Sequence, residues 1–304
     1  MSSEASTIAA TALKRAIIGT LLLGVAKVAA ALLTGSSAVG ASAADALTDA
    51  LVSGANLVLV RAAAAPPDPG HPFGHGKAEA LAGLAQAAFL TAVVAGVAKS
   101  GIDRLIQGAQ MPVVGPAVLV MLGSMAVSFV LSRGLKRAAE QTGSLVLRAD
   151  AAHYRMDLWT GSAVVVGLLV TAITGDARAD AVASLVLCAW MAREIAPIAI
   201  DAVGELMDRP LDRMEHAAAE AVLASFGARI SGWHDLRTRR AGPWRFVQVH
   251  VELPGDLTLR EAHRVADDLE AALCQALPGC DAIVHMDPAG ETDAPKNGAG
   301  LHQH

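Results

Sequence analysis

The sequence predicts an α-helical membrane protein of six transmembrane helices followed by a small cytoplasmic α+β domain of order αββαβ. Three observations carry this. Only 17% of the 304 residues are charged and 53% are hydrophobic, whereas a soluble domain carries about 25% charged residues. Six apolar runs, at about 12–33, 38–62, 79–107, 112–133, 144–173 and 179–205, reach the roughly 20 residues a helix needs to cross the hydrocarbon core. Charge density then rises after Asp208 and a soluble pattern begins.

The first run follows Lys14 and Arg15 but extends too far for an export leader and ends in no small-residue cleavage site, so it reads as a retained transmembrane helix. An even number of spans puts both termini on one side. Lys14, Arg15, Arg61, Lys77, Arg133, Lys136, Arg137, Arg209 and Arg213 fall on that side. The opposite connections at 35–37 and 108–115 are short and nearly uncharged, and the one at 175–178 carries one charge of each sign. Positive residues stay cytoplasmic, so both termini are expected there. The aromatic fraction is 3%, with one Tyr, which leaves little aromatic belt to fix the helix ends.

Beyond the spans, Asp212 to Phe226 reads as an amphipathic helix. Trp233–Arg240 and Trp244–Leu253 alternate like strands about an Ala-Gly-Pro turn, Leu259–Leu277 forms a second helix, and Asp281–Met286 a last strand. The expected division is 1–208 for the membrane domain, 209–290 for the cytoplasmic domain and 291–304 for a Gly/Pro/Asn-rich disordered tail. The net charge of −5 gives no sign of a nucleic-acid partner. Cys188, Cys274 and Cys280 show no CxxC pair or disulfide framework and read as reduced thiols.

Two helical doublets carry the chemistry. Span two has Asp45 and Asp49, and span five has His153 and Asp157. Each is an i,i+4 pair, so each places two ligands on one helix face. Two such faces opposed supply four oxygen and nitrogen ligands, the number a tetrahedral Zn²⁺ site needs. Ionisable groups inside a bilayer are costly and mark a pathway. Arg148, Asp150 and Arg155 read instead as interfacial charges and pairs. In the loop after span two, Asp68, His71 and His75 lie within eight residues bent by Gly and Pro, and can converge on one ion. In the cytoplasmic domain, His234, His250, His285 and Asp287 fall on strands and His263 on the intervening helix, a set able to hold one or two metals.

The stretches Asp45-Ala-Leu-Thr-Asp49, His71-Pro-Phe-Gly-His75-Gly-Lys-Ala-Glu79, Arg148-Ala-Asp-Ala-Ala-His153-Tyr-Arg-Met-Asp157 and His234-Asp-Leu-Arg-Thr-Arg239 resemble the cation diffusion facilitators, and among them the bacterial zinc/iron efflux branch. The resemblance runs from span one to about Pro288. It implies a homodimer in the bacterial inner membrane, with a ferredoxin-like, metallochaperone-like cytoplasmic domain. It implies a transport site at Asp45, Asp49, His153 and Asp157, and a loop site at Asp68, His71 and His75. It further implies a dinuclear regulatory site at His234, His250, His263, His285 and Asp287. Lys77 and Asp208 match a charge interlock that holds the dimer near the membrane surface. Ala289 stands where some close relatives carry a Cys.

The expected activity is secondary active export of a divalent cation, Zn²⁺ first and also Cd²⁺ or Fe²⁺, against protons. Metal binding needs neutral imidazole and ionised carboxylates, so metal and protons compete. An Asp₃His set is too hard for Cu⁺, while Fe²⁺, Mn²⁺ and Co²⁺ stay open as main substrates. Two other classes would use similar residues. An intramembrane metallohydrolase would want a motif such as HExxH, which is absent. A membrane metal sensor would need no ligand doublets in the bilayer.

Overall fold

The computed structural model describes residues 2–34, 37–107, 117–174 and 178–290. The connections expected at 35–37, 108–115 and 175–178 fall wholly or mainly outside the described residues, and so does the tail from 291. The chain divides into two compact units, one of residues 3–203 and one that begins at Gly204.

The first unit contains six long helices: α1 (Ser2–Thr34), α2 (Ser37–Ala63), α3 (Lys77–Gln107), α4 (Ala117–Thr142), α5 (Leu145–Thr174) and α6, Arg178–Leu206, which ends in the second unit. Among the described residues, α1, α2 and α3 contain stretches long and apolar enough to cross a membrane, at Thr7–Ala29, Ala46–Ala63 and Lys77–Asp103. Charged groups lower the mean hydropathy of parts of the other three: Arg133, Lys136 and Arg137 on α4, Arg148 to Asp157 on α5, and Arg193, Glu194 and Asp201 on α6.

Small residues let these helices approach closely. Ala46, Ala50, Ala82, Ala87, Ala139, Ala149 and Ala152 are buried, while Leu22, Val25, Val58, Val130 and Val186 are exposed. That is the arrangement expected where lipid, not water, covers the outside. α5 packs against α4 and α3. Two ion pairs fasten it to α6, Arg148 with Asp201 and Arg155 with Glu194.

One boundary differs from expectation. Arg133, Lys136 and Arg137 were expected between spans four and five, yet they lie in the last turns of α4. Lys136 and Glu140 face each other on its exposed side at i,i+4, 3.8 Å apart. The helix stops at Gly143, whose φ of 69° only glycine adopts freely. Ser144 then accepts the Leu147 amide and starts α5.

In the second unit, α7 (Arg213–Ser225) and α8 (Leu259–Ala276) pack on a three-stranded sheet of β1 (Gly232–Ala241), β2 (Trp244–Leu253) and β3 (Cys280–Pro288). β2 is central, antiparallel to β1 and parallel to β3. Both helices begin on side-chain caps: Asp212 accepts from the Met214 and Glu215 amides, and Thr258 and Glu261 form a capping box. The Thr258 hydroxyl and amide hold the Glu261 carboxyl below the usual carboxylate range. Glu215 takes Arg240 and Arg245, which ties the β1–β2 hairpin to α7. The core joins Ala219 and Leu223 to Val247, Val249 and Val251, with Leu269 and Leu273 above and Val284 beside them. The three cysteines are free.

Leu269 is fully buried at the centre of this core. Leu269→Ala should cost about 2–5 kcal/mol. Amide hydrogen exchange along β2 in the full chain should then speed up by about thirty-fold or more. Unchanged exchange would show that Leu269 is not a keystone of the unit.

Candidate metal centres

Asp49 and His153 meet between α2 and α5, with His153 Nε2 2.9 Å from Asp49 Oδ1. Asp157, one turn along α5, puts Oδ2 3.9 Å from the same nitrogen. One ligand atom from each of the three lies within 4.8 Å of the others. Zinc–ligand distances near 2.0–2.1 Å in a tetrahedral shell put neighbouring ligands about 3.3–3.5 Å apart, and the two measured distances bracket that spacing. A divalent ion therefore needs only small side-chain movements to enter. The Asp45 side chain lies outside the described residues, although its helix is present.

Polar groups unassigned by the ligand pattern sit directly beside this pair. Asp150 is fully buried among the helices. Its carboxylate accepts from Ser53, Asn56 and Gln86, and Ser53 also meets Tyr154. A signal existed in the sequence: Ser53 and Asn56 follow Asp49 by four and seven residues, on the same face of α2.

The loop between α2 and α3 folds around Asp68. Its Oδ1 accepts the Gly70 and His71 amides at 2.8 and 2.7 Å, a turn that holds the carboxylate toward both imidazoles. His71 Nδ1 lies 3.4 Å from Oδ1 and His75 Nε2 3.3 Å from Oδ2, and the two rings stand 4.3 Å apart. The His71 amide first, then the Gly70 amide and the two imidazoles, holds the Asp68 carboxyl below its usual range. His75 Nδ1 is buried without a hydrogen-bond partner. Gly74, at φ 79°, supplies the backbone bend between the histidines.

On the sheet, register makes a row of histidines. His234 stands opposite His250, and His250 opposite His285. Adjacent ring centroids are 5.2 and 4.5 Å apart. Asp287, two residues past His285 on the same face, approaches all three: 2.9 Å to His250, 3.2 Å to His285 and 3.7 Å to His234. His234, His250 and Asp287 can converge on one ion. A bulge after His234, with Asp235 at φ 55°, sets its register. Val247, Val249 and Val251 face the helices, so the histidine row lies on the other face. His263, on α8, pairs with Asp267 at 3.5 Å and is not brought into the row. Asp208, at φ 56°, takes Arg239 Nη1 at 3.2 Å within the cytoplasmic unit, and Lys77 opens α3.

If the loop group holds an ion of its own, His75→Ala should lower the zinc bound at saturation by one ion per chain in equilibrium dialysis. An unchanged stoichiometry would remove the loop from the set of sites.

Comparison with known proteins gives these clusters a context. Residues 13–207 match the cation efflux transmembrane domain, and residues 211–289 match the cation efflux protein cytoplasmic domain. The cation-efflux pump FieF of Pectobacterium atrosepticum is 37% identical over 280 residues, covering 92% of each chain. FieF of Klebsiella pneumoniae is 34% identical over 293 residues, covering 96% of this chain and 95% of that one. A solved chain of the transporter CzrB in its Zn form is 40% identical over 29% of this chain and 99% of its own, with a TM-score of 0.27. The chain belongs to the cation efflux family, multi-pass membrane transporters rather than enzymes, and carries both the transmembrane and the cytoplasmic domain.

Proposed function

We propose that this protein exports a divalent transition-metal ion, Zn²⁺ first and Cd²⁺ or Fe²⁺ next, from the cytoplasm in exchange for protons. The observation that carries the reading is the contact of His153 with Asp49, with Asp157 close by. It lies inside a chain matched over its length to cation efflux proteins. Asp45 completes the transport site as fourth ligand, one turn before Asp49 on α2. The division of labour is 1–208 for transport and 209–290 for regulation, in a homodimer in the bacterial inner membrane with both termini cytoplasmic.

The chemistry follows from the ligands. A carboxylate and an imidazole nitrogen at 2.9 Å share a proton. An ion that takes both groups as ligands must expel that proton, so metal loading and protonation exclude each other. Two or three carboxylates offset the charge of a dication where the surroundings cannot solvate it. Rocking of the bundle would then present the loaded site outward, where protons displace the ion. Inward proton movement drives the cycle.

The loop group of Asp68, His71 and His75 is read as a second metal site on the cytoplasmic side. The row of His234, His250 and His285 with Asp287 is read as the regulatory site, to which the resemblance adds His263. Ions held there stabilise whichever transport conformation binds them more tightly. Lys77 and Asp208 serve as the dimer's charge interlock near the membrane surface.

The test uses purified protein in liposomes that contain a zinc dye, with an imposed pH gradient. Zinc flux should follow the gradient, and Asp49→Ala or Asp157→Ala should reduce it to the level of protein-free vesicles. Movement of Fe²⁺, Mn²⁺ or Co²⁺ without Zn²⁺ would overturn the choice of substrate. No movement of any divalent ion, with zinc still bound by the cytoplasmic row, would make the protein a membrane metal sensor.

A further inference from the structure

The buried cluster around Asp150 has no part in the ligand set, yet its geometry is tied to it. Ser53 Oγ donates to Asp150 Oδ2 at 3.0 Å, and Asn56 Nδ2 and Gln86 Nε2 both donate to Oδ1 at 3.3 Å. Asn56 Nδ2 also donates to Gln86 Oε1 at 2.9 Å. Ser53 has one proton and gives it to Asp150, so Tyr154 must donate its own to Ser53 across their 3.0 Å contact. Three donors, Ser53 and Asn56 on α2 and Gln86 on α3, thus converge on one carboxylate of α5, and Tyr154 stands behind Ser53 without touching the carboxylate itself. The arginines on either side, Arg148 and Arg155, are engaged with Asp201 and Glu194 on α6.

The contacts form successive rungs between antiparallel helices. Asp49 on α2 meets His153 on α5, and one turn further along α2 Ser53 meets Asp150, about one turn back along α5. A residue rises 1.5 Å along a helix. A slide of α5 by a residue or two would therefore break the Asp150 rung and draw His153 away from Asp49 together. Apolar packing of Val146, Leu147 and Met156 also resists such a slide, and the carboxylate with its directed donors adds a geometric constraint at the level of the ligands themselves.

Asp suits this place better than its amide. A carboxylate offers about four acceptor positions and no donor, which matches three converging donors. An Asn would turn one oxygen into a donor and aim it at Ser53 or at the two amides.

We propose that Asp150 is a positioning residue, which with Ser53 fixes the axial register of α5 on α2 and so sets the metal affinity of the Asp49–His153–Asp157 site without touching the ion. The claim rests on that site being the transport site.

The test measures Co²⁺ binding to the full-length protein in detergent, read by visible absorption, which reports both affinity and ligand geometry. The parent carries His75→Ala and His250→Ala to silence the other two clusters. Asp150→Asn and Ser53→Ala are compared with it, and Tyr154→Phe serves as a control that leaves all three donors on Asp150. The first two should weaken Co²⁺ binding by about 10–100-fold and reduce the tetrahedral absorption, while Tyr154→Phe keeps the parent affinity and spectrum. Should Asp150→Asn fail to fold, Ser53→Ala alone decides. Parent affinity and spectrum in Ser53→Ala would overturn the proposal, and so would a loss of thermal stability with the spectrum unchanged. A parent that binds no Co²⁺ would overturn the transport-site reading itself, and the positioning role with it.

Discussion

Hydrocarbon offers no hydrogen bonds, so an ionisable group carried into the spanning helices needs a partner. On α5 four such groups find theirs on neighbouring helices. Asp150 is met by α2 and α3, His153 by α2, and Arg148 and Arg155 by α6. Polar contacts thereby help to specify α5 in rotation and register, alongside the apolar packing of Val146, Leu147 and Met156 against its neighbours. The same constraint that makes such a helix costly makes it suited to a site whose ligands must be placed to within a few tenths of an ångström.

The cytoplasmic unit solves a related problem by other means. Its metal-ligating row depends on sheet register rather than on helix faces. A one-residue slip between β2 and its neighbours would turn the histidines toward the helices and the valines outward. Burial of Val247, Val249 and Val251 beneath α8 therefore holds His250 on the open face. Hydrophobic packing on one side of the sheet preserves polar geometry on the other.

Much of this is legible in the sequence, and the limits are instructive. The i,i+4 spacing of His153 and Asp157 places both on one helix face whatever the tertiary structure, so the doublets could be found by spacing alone. The row of His234, His250 and His285 could be assigned to strands, but not to register, because the bulge at Asp235 has no distinctive sequence mark. Asp150, near the start of span five, read only as one of several charges and pairs there. Its partners are Ser53, ninety-seven residues away, and Gln86 in another helix, contacts that local pattern cannot encode. The charged end of α4 looked like a loop because hydropathy measures the membrane and not the helix, which runs past it to Gly143.

The central claim is that the ion and a proton compete for the Asp49–His153 pair. The most direct measurement counts protons released when Zn²⁺ is added to the purified protein at equilibrium, by calorimetry in buffers of different ionisation enthalpy. Comparing the native chain with His153→Ala cancels the contributions of the loop and of the cytoplasmic row. The account predicts that the native chain releases about one proton more per chain than the variant. Equal release from both would contradict it.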